Sequence, residues 1–593
     1  MSEHFNPVIL NEVKNLFRIL LALPLVALSC GKGDEPSSGS KSLAAPKNLT
    51  VKSVTENSVT IQWDPVEGAK TYRWSVSQAG SPVVSGGGTN RNATVTGLSA
   101  GTTYRFSVSA ASVSDLEESV TSAESSIDFT TEGSATPPVT DLRVTCVDEP
   151  LLLSFGTVPV LGTSGKIRLF TAAGQEVDCI DLADMATVEV REDGQMVPKQ
   201  QMTKETPYNT FMDRVYSGKR YRIVHYTPLR IEGKTLTVRF HSGVMEFGKA
   251  YYVTMDEGVV AGFPGIAKGE VEFRVKPAPA NPASLHVAAD GSADFCTIQG
   301  ALSHASTTSG PVTVSVAAGT YHEMLFLRER ADVTIHGASR ETTVLSYANA
   351  EALANGSGAS IGTKPAVGNA IGAVGGRGIC LFENCDNLLL SGLTLVNSYG
   401  AQGQAEVIYF NSGSNAHRLT VENCALHSLQ DTFLTKGEVW VHNSLIAGNV
   451  DFIWGYPKAC LFEDCEIRCE KYSSGFILQA RVPGASDKGF VFLNCRITAG
   501  EGAKDGSMYL ARSGGSTDYY DNVTFVNCRM SSVVAPVGWY SNPAPNPATP
   551  TAVSGWKEYG TTGVSTASRN NLGRILTAEE AAAYSSKAAV LGW

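Results

Sequence analysis

Short alternations of apolar and polar residues dominate this chain, with the two-residue period of strands that bury one face. Three come early, at 58–63, 72–76 and 103–108, parted by the turn signals Glu67-Gly68, Gly86-Gly87-Gly88 and Ala100-Gly101. Four more follow at 166–170, 235–240, 249–255 and 271–275. Beyond residue 282 the pattern changes. Short apolar strands now end in Asn-Cys or Asp-Cys: Asn384-Cys385, Asn423-Cys424, Asp464-Cys465, Asn494-Cys495 and Asn527-Cys528, with Asn443-Ser444 as a copy that carries Ser. A repeat this short and variable predicts a β-solenoid whose insertions loop out on one face. Stacked coils would set the Asn side chains in a ladder of amide hydrogen bonds at a turn and the Cys side chains in a buried, reduced stack. The predicted fold class is all-β, a solenoid preceded by two β-sandwich modules.

One apolar run stands apart. Residues 19–28 follow Lys14 and Arg18, are too short to span a membrane, and end in Leu28-Ser29-Cys30-Gly31. This resembles a bacterial lipobox, which implies a lipoprotein signal peptide over 1–29 and a lipid anchor on Cys30. A polar flexible tether follows over 30–43. The expected location is the cell envelope, at the outer membrane of a Gram-negative bacterium, on its periplasmic or surface face. Residues 44–131 resemble a fibronectin type III domain, through Trp63 and the Leu98 to Tyr104 spacing. After the linker Thr136-Pro137-Pro138, residues 139–276 resemble the bacterial Ig-like modules that precede catalytic domains in secreted enzymes. Cys146 and Cys179 are a candidate pair in an oxidising compartment.

Composition narrows the function classes. The net charge of −10 argues against a general nucleic-acid binder. It leaves a polyanionic substrate open, because a local cleft can differ in sign from the whole chain.

The candidate chemistry lies in two short runs, Gln430-Asp431-Thr432-Phe433 and Gly448-Asn449-Val450-Asp451-Phe452-Ile453-Trp454-Gly455. Each sets an Asp in an apolar context, where a carboxylate is costly unless paired or used. Two such carboxyls and an amide can hydrolyse an ester without serine, histidine or metal. Further runs fall in a fixed order around them: Val287-Ala288-Ala289-Asp290-Gly291, Gly319-Thr320-Tyr321-His322-Glu323, Gln404-Ala405, and a tail from Leu576 to Trp593. With these runs, residues 284–593 resemble carbohydrate esterases of the pectin methylesterase type.

The resemblance implies a right-handed parallel β-helix and hydrolysis of galacturonate methyl esters in pectin, with no cofactor, no metal and a monomeric chain. It implies Asp451 as nucleophile, Asp431 as acid and then base, and Gln430 and Gln404 as donors to the oxyanion. Arg512 would pair with Asp451. Glu323 reads as bracing a turn. The family's usual L-G-R-P-W run departs here to Leu510-Ala511-Arg512-Ser513-Gly514, so the aromatic wall for a sugar ring is missing. Trp454, Phe433, Tyr409 and Trp539 are the candidate substitutes for substrate binding. Glu406 also departs, since the Q-A motif usually continues with an apolar residue; it falls near the site or on the solvent side. Gly358-Ala359-Ser360-Ile361-Gly362 fits the G-x-S-x-G pattern, but its Gly/Ala/Ser-rich context lacks the strand and helix that a nucleophile elbow requires. Two rivals remain: an esterase acting on another ester, and a β-helical polysaccharide-binding protein with little turnover. A lyase or polygalacturonase is a third, without the calcium-binding Asp cluster expected of a lyase.

Overall fold

A computed structural model describes residues 42–593, leaving out 56, 100, 113–119, 133–143, 185, 193–194, 200–211, 218–219, 226–227 and 355–375. Cys30 with its leader, the 136–138 linker and the 358–362 run lie outside the described residues.

Two compact units divide the chain, the first built chiefly from Thr60–Thr94 and Tyr104–Phe129, the second taking in Val54–Val59, Val95–Thr103 and Thr130–Trp593. The N-terminal module carries a sheet of Thr50–Val54, Ser58–Gln62 and Asn92–Thr96, and a second in the order Ser81–Gly88, Thr71–Gln78, Thr103–Ala111, Ser125–Thr130. Its alternating inward residues include Trp63, whose ring meets Tyr72 edge-on at 5.4 Å.

The next module has a five-stranded sheet in the order Glu176–Asp181, Lys166–Thr171, Ala250–Met255, Glu272–Val275, Val144–Thr145. Cys179 lies on one edge strand, and Cys146 follows the strand at the other edge. Four strand spacings separate them by about 19 Å, so the candidate Cys146–Cys179 pair is ruled out by topology. The Cys146 sulfur instead sits with Cys296 and the Glu149 carboxylate, their ligand atoms within 4.8 Å of one another. The Lys276 ammonium donates to that sulfur at 3.4 Å, which works against a divalent cation there.

Packing does not divide at residue 276. The hairpin Met212–Ser217 and Arg220–His225 leaves its module, and Val215 and Val224 enter the apolar core of the solenoid. Arg222, fully buried, donates through Nη2 to the carbonyls of Gly376 at 3.0 Å and Gly378 at 2.7 Å. Asp148 likewise accepts from the backbone N–H of Thr297 at 2.7 Å, just before the helix Ile298–Ala305.

Beyond Ser284 the chain winds as a parallel β-helix. One face is the eight-stranded sheet from Gly319–Tyr321 to Arg529–Met530. The other two belong to a 16-stranded sheet, whose long strands Phe433–His442 and Val450–Glu463 turn the corner between them. Crossovers between parallel strands of one sheet run right-handed. Inside are ladders of like residues. Phe462 stacks on Phe492 at 4.7 Å and Phe492 on Phe525 at 4.4 Å.

The Asn and Asp of the repeat have a different role from the one expected. Asn384, Asn423, Asn443, Asp464, Asn494 and Asn527 turn the chain between faces with φ from 45° to 55°. That left-handed conformation is costly for most side chains and tolerated by Asn and Asp. Among the described residues their side chains form no amide ladder from coil to coil. The Cys residues that follow are buried as expected. Cys465, Cys495 and Cys528 donate to carbonyls of the preceding coil at 3.3, 3.3 and 3.4 Å. Glu323 takes the bracing position. Its carboxylate accepts from the N–H groups of Ile298 and Gln299, both at 2.8 Å, at the start of the helix Ile298–Ala305. Burial pushes its pKa up to about 7 against the pull of those donors.

Candidate active site

Strand register assembles the site on one face. The row Ile408, Phe433, Ile453, Leu478, Ala511 faces the core. The next row, Tyr409, Leu434, Trp454, Gln479, Arg512, is on the other side of the sheet. Just upstream, parallel bridges join Gln404 to Gln430 and Gln430 to Val450. Asp431 and Asp451 follow directly, at the corner where the chain enters this face.

Local backbone chemistry aims both carboxyls. Asp431 and Asp451 have φ of 64° and 44°, again the region that Asp tolerates. The register shifts between Val450 and Ile453, a bulge that sets Phe452 into the core and turns Asp451 out. The Thr432 hydroxyl ties its turn to the Ala447 carbonyl at 2.9 Å. Gly455 has φ 134°, and a Cβ there would come within 2.1 Å of the Thr435 carbonyl oxygen. The Asp-Phe-Ile-Trp-Gly run therefore needs its glycine.

The Asp451 carboxylate, 4% exposed, accepts from Arg512 Nε at 2.8 and 2.9 Å and from Gln479 Nε2 at 3.3 Å. Arg512 Nη2 adds a further bond. A bidentate guanidinium fixes and aims the carboxylate it binds. Asp431, 3% exposed, accepts from Arg377 Nη2 at 3.1 Å. Burial first, then the charge of Glu406, hold its carboxyl well above the ordinary range. Arg377 pulls it down, Asp451 pushes it further up, and a hydrogen bond from Gln404 pulls it down. One carboxyl is thus gripped by its own guanidinium while burial and neighbouring carboxylates push the other up, the division that acid–base work on an ester requires.

The Gln404 Oε1 accepts from Arg377 Nη1 at 3.0 Å, and the Gln430 Oε1 from Gln402 Nε2 at 3.4 Å. With their oxygens engaged, both amides turn their NH₂ groups to donate.

The expected aromatic surface is corrected in part. Phe433 is fully buried in the inward row, edge-on to Phe462 at 6.0 Å. Trp539 is also in the core, stacked on Trp556 at 5.3 Å. Neither can meet a ligand. Tyr409 is in the outer row but only 3% exposed, its Cβ close behind Gly378. Trp454 is 9% exposed, and its buried indole N–H has no partner among the described residues.

Several site residues escaped the sequence reading. Arg377 joins Asp431, Gln404, Glu351 and Glu406, and its only signal was a lone Arg in a glycine-rich run. Gln479 and Arg481 end an apolar strand. Arg481 donates to the Gln479 Oε1 at 3.1 and 2.6 Å, lies 5.2 Å from the Trp454 ring and bonds Tyr456 at 2.7 Å. Phe476 and Tyr509 stack at 5.8 Å, with Tyr540 edge-on to both and Arg512 5.0 Å from the Phe476 ring. These three half-buried rings form an aromatic surface beside Asp451.

The Pectinesterase family profile matches residues 284–592, and the fibronectin type III domain profile matches residues 44–125. Pectinesterase 31 of Arabidopsis thaliana is 32% identical over 264 residues, which span 43% of this chain and 76% of that protein. Pectinesterase QRT1 of the same plant is 33% identical over 149 residues, 25% of this chain and 36% of that protein. Among solved structures, the pectin methylesterase PemA from Erwinia chrysanthemi is 21% identical, with 53% of this chain and 98% of that chain covered at a TM-score of 0.42. By its family profile and its relatives, the chain belongs to the pectinesterase family of carboxylic ester hydrolases, with a fibronectin type III domain at its N-terminal end.

Proposed function

We propose that this chain hydrolyses the methyl esters of galacturonate in pectin, releasing methanol and acidic pectin. The observation that carries the reading is the pairing of Asp451 with Arg512 beside a buried Asp431 whose carboxyl is pushed well above the ordinary range. A carboxylate oxygen of Asp451 attacks the ester carbonyl carbon, and the NH₂ groups of Gln404 and Gln430 donate to the oxyanion. Collapse expels methoxide, which takes the proton of Asp431 and leaves as methanol, and an anhydride to Asp451 remains. Asp431, now a carboxylate, takes a proton from water as it attacks the anhydride. Galacturonate leaves, and Asp451 is free again. The guanidinium of Arg481 and the ammonium of Lys436, near Trp454 and Tyr456, suit a polyanionic chain. Methanol release from methylated pectin tests the reading. It requires the whole mature chain, since residues 212–225 supply part of the solenoid core. A folded chain that releases no methanol would sink it. Faster turnover of a different sugar ester would favour the related-esterase reading instead.

Substrate binding carries a second expectation. Gly514 stands where relatives place the missing Trp, and a Cβ there would lie 3.5 Å from Arg481 and Gln479, ordinary contact. Ser513 must stay, because its hydroxyl bonds the buried Asp521 at 2.8 Å. Gly514→Trp should therefore lower KM several-fold, the equivalent of about 1 kcal/mol of ring contact. Kinetics on methylated oligogalacturonides would read it. An unchanged KM would mean that Phe476, Tyr509 and Tyr540 already provide the wall.

The cell-envelope location rests on Leu28-Ser29-Cys30. An acylated Cys30 would hold the chain at a membrane, so Cys30→Ser should move it to the soluble fraction. Unchanged fractionation would remove the anchor and leave the enzyme untouched.

A further inference from the structure

Glu406 is the oddest residue near the site. The Q-A motif is followed here by a carboxylate that is 0% exposed, against Arg377 Nε at 2.8 Å through both oxygens. A buried charge of this kind is costly and must be matched. The match is Arg377, whose Nη1 also reaches Glu351 at 2.6 Å and whose Nη2 reaches Asp431 at 3.1 Å. The peptide that carries Arg377 is held on both sides by Arg222 and by Asn349, which donates to the Gly376 carbonyl at 3.0 Å. The guanidinium is therefore fixed in place and shared.

We propose that Glu406 is a positioning residue that occupies the charge of Arg377 and so leaves the proton on Asp431 for the departing alcohol. Charges around Asp431 decide the matter. Asp451 is matched by Arg512, and Glu406 by Arg377 through the shorter contacts. Glu351, partly exposed, adds a further negative charge on the same guanidinium. Gln404 brings no charge. Asp431 is buried beside two other carboxyls and has only a share of Arg377, through a single 3.1 Å contact. Burial also raises the Glu406 carboxyl, and Arg377 resists that rise. Removing Glu406 would take away the buried competitor for the Arg377 guanidinium, leave only the partly exposed Glu351 beside it, and so favour the ionised form of Asp431.

The proposal rests on the role of Asp431 as acid, and its test separates the two. The pH profile of kcat/KM on a methylated oligogalacturonide is measured for the mature chain and its variants. In Glu406→Gln the basic limb should move to lower pH by about one unit or more, with activity kept on the acid side. Glu406→Asp should restore part of the shift. Arg377→Lys should move the limb the other way, because one ammonium stays with Glu406 and cannot fork to Asp431. An active Glu406→Gln with its limb unmoved, or with the same loss at every pH, would overturn the proposal. If that variant does not fold, an Arg377→Lys limb that fails to rise overturns it. Wild-type rates in Asp431→Asn would remove the role of Asp431 itself.

Discussion

Asp451→Asn should cut methanol release by roughly 10⁴ or more, the scale at which a missing nucleophile is felt. The amide keeps the shape of the side chain and cannot attack a carbonyl carbon. The substitution also leaves the Arg512 guanidinium without its carboxylate. Arg512 has 32% of its side chain exposed, so water can take over part of the lost interaction. The stability cost should stay near about 1 kcal/mol, and the circular dichroism and melting curve should stay close to wild type. Retention of more than about a tenth of the rate would contradict covalent catalysis by Asp451. Loss of the fold would show that the Asp451–Arg512 pair holds the corner of the coil rather than the chemistry.

Asp431→Asn should lower kcat by about 10²–10⁴, the usual contribution of a positioned acid and base. KM should change little, because the protonated carboxyl and the amide are alike in size and both can donate. Stability gives an independent reading with a definite sign. The folded-state pKa of Asp431 is raised by burial, so its contribution is intact below the unfolded carboxyl range. It is lost as pH rises through the folded value. The Asn variant lacks that loss. Its melting temperature relative to wild type should therefore rise as pH climbs from the unfolded carboxyl range through the raised folded value. A difference that stays flat with pH would mean that Asp431 is ionised in the folded chain, and the proposed acid would be lost.

Local pattern alone determined much of this protein. Strand alternation and the Asn-Cys repeat were enough for an all-β chain with a solenoid, because a coil buries one side of every strand and turns at fixed intervals. The short runs around Gln404, Gln430, Asp431, Asp451 and Arg512 were legible because chain-local constraints accompany them: a φ that Asp tolerates, a buried Thr hydroxyl, a glycine against a carbonyl. Only the tertiary structure decided which aromatics face a ligand. Phe433 and Trp539 read as well as any other ring in sequence, but strand register turns both inward. It decided the neighbours of Cys146, since sheet order places Cys179 at the far edge. It also decided that a hairpin from the preceding module reaches the back of the site. Above all it joined Glu351 and Arg377, from one connection between strands, with Glu406 and Asp431 from the next two coils. Charges that far apart in the chain carry no shared period, and their mutual effect depends on burial and distances of a few ångströms.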